Sequence, residues 1–212
     1  MSGYFISIEG GEGAGKSTAL GCIKTWLTDQ GIEFIVTREP GGTPLAEEIR
    51  NLVLAPRDEP VDVYAELLLV FAARVQHVKQ TILPALKAGK WVISDRFVDS
   101  SYIYQGIGRN IDAKVIDDLV DRFLQGALPD ATLLLDVPVS IGLQRVASRG
   151  EMNRLDGESI AFHEKVRSGF LALAAKHSQR IHVIDANQSL ESVEADICNV
   201  LSDLNTSAVG NP

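Results

Sequence analysis

Eight residues near the N-terminus carry the plainest chemical signal in the chain. Gly10-Gly11-Glu12-Gly13-Ala14-Gly15-Lys16-Ser17 fits the spacing glycine, four residues, then Gly-Lys-Ser. Glycines let a backbone take positive φ and bring its N–H groups against phosphate oxygens. A helix opening at Lys16 adds the positive end of its dipole, so the loop with Thr18 suits a nucleoside triphosphate. Lys16 would bridge the β- and γ-phosphates, and the Ser17 hydroxyl would ligate Mg2+. The spacing arises by accident in roughly one chain of this length in a hundred. Here it also follows an apolar run and opens a helical pattern, which is the context the motif requires. No Asn-Lys-x-Asp guanine-reading motif occurs, which favours ATP over GTP.

Two further clusters sit at the ends of apolar runs. In Val92-Ile93-Ser94-Asp95-Arg96-Phe97, Asp95 is placed to hold Mg2+ through its water shell and Arg96 to grip a second anion near the γ-phosphate. The turn Thr37-Arg38-Glu39-Pro40-Gly41-Gly42-Thr43 is rigid and allows close approach, and the helix after it carries Arg50.

The elements that must position these groups are legible as alternation. Continuous apolar runs at Tyr4–Ile8, Phe34–Thr37, Trp91–Ser94, Thr132–Asp136 and Ile181–Ile184 suit strands buried on both faces of a parallel sheet. Helical patterns lie between and after them: Lys16–Asp29, Leu45–Leu54, Val61–Ala88 with a kink or break at Pro84, Asp112–Gln125, Ser140–Ser148, Ser159–His177 and Leu190–Leu204. Strand–helix repetition of this kind predicts a doubly wound α/β fold, five parallel strands with helices on both faces. Ligands then sit beyond the carboxyl ends of the strands, where all three clusters fall. Residues 1–212 read as one domain, with a small polar tail over about 205–212.

Composition bounds the function. The 212 residues are 45% hydrophobic and 23% charged, ordinary for a soluble globular protein. The net charge of −8 argues against a surface that coats nucleic acid. No apolar run approaches the ~20 residues of a membrane span and no export signal is visible, so a cytoplasmic address is the default. Cys22 and Cys198 lack a ligand cluster and read as reduced thiols. His77, His163, His177 and His182 lack metal-ligand spacing and read as structural or surface groups.

With the loop, the strand-end acid and arginine and the turn in place, the sequence resembles the thymidylate kinases of bacteria. The matching segments are Ile8–Ser17, Thr37–Thr43, Ala72-Ala73-Arg74-Val75-Gln76-His77, Asp95-Arg96 followed by Ser100, Ser101, Tyr104 and Gln105, Pro129-Asp130, and Arg149-Gly150-Glu151-Met152-Asn153-Arg154. The resemblance runs from about Tyr4 to Leu204, and the Asp95–Gln105 segment is its most specific part. It implies a P-loop kinase fold and transfer of the γ-phosphate of MgATP to dTMP. By this resemblance Arg96 and Arg50, helped by Arg38, bind the acceptor phosphate, and Arg74 bonds a thymine carbonyl. Ser101 and Gln105 meet the base, and Glu9, Pro40 and Ser100 complete that side. Tyr104 lies near the 2′ carbon, and Glu12 faces the sugar 3′-OH and the reacting phosphates. The family stacks an aromatic on thymine from a position that is Val70 here, with Phe71 next door, so either Phe71 stacks after a local shift or Val70 packs the base less well and Phe71 is core; Phe71 is taken as the stacking residue.

The charge-dense stretch 145–158 resembles the family's lid, from which Arg149 and Arg154 would join Lys16 and Arg96 around the moving phosphoryl group. Arg145 and the Asp185-Ala186-Asn187 turn would flank adenine, and the relatives are usually homodimers. Two rival readings stay open at this point. One is a P-loop kinase for another small acceptor; the other is a nucleotide switch that hydrolyses ATP with no acceptor at all.

Overall fold

The computed structural model describes residues 3–124, 126–148, 154, 155 and 157–209, with side chains to residue 206. Five strands form one sheet: β1 (Phe5–Gly10), β2 (Phe34–Arg38), β3 (Trp91–Asp95), β4 (Ala131–Asp136) and β5 (Ile181–Asp185). All neighbours pair in parallel, in the order β2-β3-β1-β4-β5. The chain order reverses between β1 and β3, so the crevice a doubly wound sheet offers to ligands opens there. Ile8 on β1 lies in register with Asp95 on β3, which sets the phosphate loop beside the Asp95-Arg96 pair.

Helices cover both faces. One core joins Ile6, Ile8 and Ile93 to α1 (Lys16–Asp29) and α9 (Leu190–Val209) through Ile23, Leu27, Ile197 and Leu201. The other joins Phe5 and Val92 to α3 (Val63–His77) and α6 (Ala113–Phe123) through Leu67, Phe71, Ile116 and Val120. A third cluster packs α8 (Ile160–Lys176) on Ile103, Tyr104 and Leu134 through Phe162, Val166 and Phe170. Thr43 caps α2 (Pro44–Leu54) by accepting from the Ala46 N–H, with Pro44 in the first turn where its missing donor costs nothing.

Three local expectations need correction. The helix expected over Val61–Ala88 begins at Val63, capped by the Asp62 carboxylate. It then widens into a π-helical turn at Val78–Ile82 and continues as α4 (Leu83–Lys87). The Leu83 N–H reaches back five residues to the Val78 carbonyl, so the ladder is already re-phased where Pro84 lacks a donor. Second, residues 98–108 carry α5 (Val98–Ser101) and a π-helical segment, Tyr102–Gly108, where no element was expected. Third, α9 continues past Leu204 through Val209, beyond the start of the expected tail. The remaining helix, α7 (Val139–Ala147), follows β4 and packs against the phosphate loop.

Candidate active site

The loop from Gly10 to Lys16 joins β1 to α1 at the switch point. Gly10, Gly13 and Gly15 all have positive φ. A side chain on Gly13 would collide with the Gly142 carbonyl, and one on Gly142 would collide with the Glu12 carbonyl. These two glycines let α7 support the loop at backbone contact. Arg145, also on α7, donates to the Gly13 carbonyl at 3.4 Å and to the Ala186 carbonyl at 3.3 Å, tying the loop to the turn after β5. The Lys16 ammonium rests on the Gly10 and Gly11 carbonyls, at 3.4 and 3.2 Å. Burial and the nearby Arg96 guanidinium lower its pKa.

Beside the loop stands a compact charge cluster. Arg96 donates to the Gly10 carbonyl (3.0 Å), the Ser100 hydroxyl (3.2 Å) and Glu12 Oε1 (2.9 Å). The Tyr104 hydroxyl donates to the same Glu12 oxygen at 2.8 Å, and its ring lies 4.9 Å under the Arg96 guanidinium. Burial pushes the Glu12 carboxyl up, but Arg96, Lys16 and the Tyr104 hydroxyl outweigh it and hold the group at about 2. Arg96 itself has φ of 69°, which is uncommon outside glycine. Its backbone is pinned there: its N–H donates to Ile8 and its carbonyl accepts from the Ser94 hydroxyl. An arginine held on three acceptors, one of them the Glu12 carboxylate, offers fixed positive charge beside the loop.

Glu9 does not face this space. It is fully buried, and its oxygens accept from the Phe97 and Ser100 N–H groups and the Ser100 hydroxyl. It therefore holds the first turn of α5 rather than a ligand, and burial raises its pKa to about 7. Asp95 Oδ1 is a buried oxygen with no partner among the described residues, and the Ser17 hydroxyl is exposed at the start of α1. Two hard oxygen donors beside a phosphate loop fit Mg2+, which prefers one or two protein ligands plus water and phosphate. No group of three or more metal-binding side chains occurs among the described residues.

The other half of the site is built on buried charge. Arg74, 2% exposed, donates to Glu39 (2.6 Å), the Ser101 hydroxyl (2.8 Å) and the Phe97 carbonyl (3.2 Å). The second Glu39 oxygen accepts from His77 Nδ1 at 2.9 Å, and His77 Nε2 meets the Thr37 hydroxyl at 2.6 Å. Arg50 donates to the Glu39 and Pro40 carbonyls, which aims it from α2 across the turn. Gln105 donates to Glu66, and Glu66 also pairs with Arg154 at 2.6 Å and Arg109 at 3.6 Å.

One cleft of about 760 Å3 runs through both halves. Its walls include Glu12 to Thr18, Asp95, Arg96 and Arg145, then Pro40, Arg50, Arg74, Ser100, Ser101, Tyr104 and Gln105. The structure thus gathers most of the expected residues around one space. Besides Glu9, four fall elsewhere, and Gly10 and Gly11 stand outside the cleft lining. Arg38 is exposed and paired with Glu47 at 2.7 Å, outside the cleft lining. Asn187 is exposed, while its neighbours Ala186 and Gln188 line the cleft. Arg154 faces Glu66 and the Val53 carbonyl behind the wall formed by Val53 and Leu54. Phe71 is buried in the core with Leu67 and Val78, and Val70 takes the place on the cleft wall. Arg149 lies outside the described residues. Glu39, Glu66, Arg109 and His77 were given no functional role from the sequence, because a charged residue's burial cannot be seen there. The free thiols Cys22 and Cys198 face each other at 3.9 Å between α1 and α9.

Known proteins of one family resemble this chain along most of its length. The family model described as thymidylate kinase matches residues 8–197. A thymidylate kinase of Marinomonas sp. (strain MWYL1) is 56% identical over 211 residues, covering all of both chains. One from Pseudomonas putida (strain GB-1) is 51% identical over 198 residues, 93% of this chain and 94% of that protein. The crystal structure of thymidylate kinase from Ehrlichia chaffeensis superposes with a TM-score of 0.77 at 33% identity, covering 95% of this chain and all of the other. The chain belongs to the thymidylate kinase family.

Proposed function

We propose that the protein transfers the γ-phosphate of ATP to the phosphate of dTMP, giving ADP and dTDP. The observation that carries this reading is the single cleft with a phosphate loop at one end, buried base-reading groups at the other, and Arg96 between them. ATP would lie with its phosphates along Glu12–Thr18 and its base between Arg145 and the Ala186–Gln188 turn. The acceptor would lie with its phosphate toward Arg96 and Arg50. Its base would meet Arg74, Ser101 and Gln105, with Val70 against the ring. Tyr104, held on Glu12, would crowd the 2′ position.

Phosphoryl transfer needs alignment and charge neutralisation more than covalent help from the protein. Two polyanions must approach to contact distance. Lys16 from the loop and Arg96 from the end of β3 would supply fixed positive charge between them. Glu12 holds Arg96 through Nη2 while Nη1 stays on the Gly10 carbonyl and the Ser100 hydroxyl. Mg2+, held by Ser17 and Asp95, would supply further neutralisation of the donor phosphates. Arg149 belongs to the same task by family resemblance. Arg154 would have to leave Glu66 to share in it, so we assign it to the wall of the acceptor side.

Exposed apolar side chains one turn apart on α3, Tyr64 and Leu68, support a homodimer through that helix, which sedimentation at micromolar concentration tests. No described helix is long and apolar enough to cross a membrane. Product analysis with MgATP and dTMP tests the reaction: equal amounts of ADP and dTDP are expected. ATP hydrolysed without acceptor at the same rate would favour a switch or ATPase instead.

A further inference from the structure

The carboxamide of Gln105 has a direction that chemistry dictates. Its Nε2 lies 2.9 Å from Glu66 Oε1. An ionised carboxylate only accepts, so the amide must present its NH2 to Glu66 and turn its carbonyl oxygen the other way. Glu66 is kept ionised although it is 2% exposed: burial would raise its pKa, yet the bonds from Gln105 and Arg154 and the charge of Arg109 bring it below the ordinary value. Arg109 is held in turn by Glu158 at 2.6 Å and lies over the Phe162 ring at 5.0 Å. The hydrogen bond that the Gln105 side chain makes among the described residues runs through Nε2, and the residue, 5% exposed, lines the cleft. Gln105 and Arg74 line the same half of the cleft, and the end of the amide not used by Glu66 is the carbonyl oxygen.

We propose that Glu66, gripped by Arg154 and Arg109, is a specificity-determining positioning residue: it locks Gln105 with its carbonyl oxygen toward the acceptor base. A base edge opposite that oxygen must carry an N–H. Thymine and uracil do so at N3. Cytosine presents a lone pair there, and two acceptors face each other. Glu66 touches no ligand and acts only through Gln105. The assignment rests on the acceptor being a pyrimidine monophosphate bound as proposed above.

The test is Glu66→Gln. A glutamine at 66 can accept or donate, so Gln105 can turn over and offer its NH2 to cytosine N3. A mismatched acceptor pair costs roughly ten- to a hundredfold in affinity. We expect the preference for dTMP over dCMP to fall by about that factor, read as kcat/KM or as competitive Ki. The preference for dTMP over dUMP should stay unchanged, because both carry N3–H; a general loosening of the wall would move both ratios. An unchanged dTMP-to-dCMP ratio in a folded variant overturns the proposal. Side-chain amide exchange in the wild-type protein with dTMP bound decides independently of that variant. One slowly exchanging Gln105 proton is expected, assigned by its loss in Gln105→Leu, and two fast ones overturn the lock. If the wild type does not phosphorylate dTMP at all, the functional reading fails; if it does and the ratio holds in E66Q, only the lock fails.

Discussion

Replacing Glu9 by glutamine should make the protein more stable at alkaline pH, and the pH at which the gain sets in follows from the structure. Glu9 is wholly enclosed, and its carboxyl titrates near 7 because burial disfavours the charge more than Arg96, Ser100 and the Phe97 N–H favour it. In the unfolded chain the same group titrates near 4.5. A raised folded-state pKa means that the folded protein binds the extra proton. The stability tied to that proton is complete below pH 4.5 and is lost as the pH climbs through 7. A difference of about 2.5 units corresponds to about 3 kcal/mol by pH 8. Glutamine copies the protonated form: Oε1 still accepts from Phe97 and Ser100, and the new NH2 can donate to the Ser100 hydroxyl. Thermal unfolding of the two proteins from pH 4.5 to 8.5 is the assay. The Tm of Glu9→Gln minus that of the wild type should rise with pH through the window 4.5–7 by roughly 6–12 °C. A flat difference, or one that falls with rising pH, would refute a neutralisable buried Glu9.

Other perturbations read other parts of the site. Gly142→Ala should raise KM for ATP by about tenfold or more, because the new methyl meets the Glu12 carbonyl and displaces the loop. Alanine normally helps a helix interior, so unchanged or improved Tm with unchanged KM would disprove the loop–α7 contact. Arg96→Lys should lower kcat about a hundredfold or more in steady-state kinetics, since one ammonium cannot hold the Gly10 carbonyl, Ser100 and Glu12 together. Phe71→Leu should lower stability by about 1 kcal/mol or more in urea titrations and leave KM for dTMP alone. Val70→Ala should raise that KM several-fold; the opposite pattern would put Phe71 on the base.

The parts of this protein that sequence reveals best are those where one backbone rule dominates. The bounds of α1 follow from Gly15 before it and Gly31 after it, both with positive φ. The five strands are legible because parallel strands are apolar on both faces. Residues 98–108 are not, since Gly106 and Gly108 suggest a turn. In the fold Gly108 is small because the Phe162 ring of α8 lies where its side chain would be, and Gly169 is small for Ile107. The core placement of Phe71, one of the two readings the sequence leaves open, follows from helical phase: Leu67, Phe71, Val78 and Ile82 share one helical face and all join the same core, which puts Val70 a hundred degrees away on the cleft side. Glu39 and Glu66 were beyond reach from sequence. Each is a lone acid in a turn or first helical turn, and only tertiary packing brings Arg74, His77, Arg109 and Arg154 onto them.

The most direct measurement is the initial rate of ADP release with MgATP across dTMP, dUMP, dCMP, AMP and GMP, reported as kcat/KM for each. The account predicts that dTMP gives the highest value, with dCMP and the purine nucleotides far below it. A higher value for any other acceptor, or ADP release that does not depend on an acceptor, would contradict it.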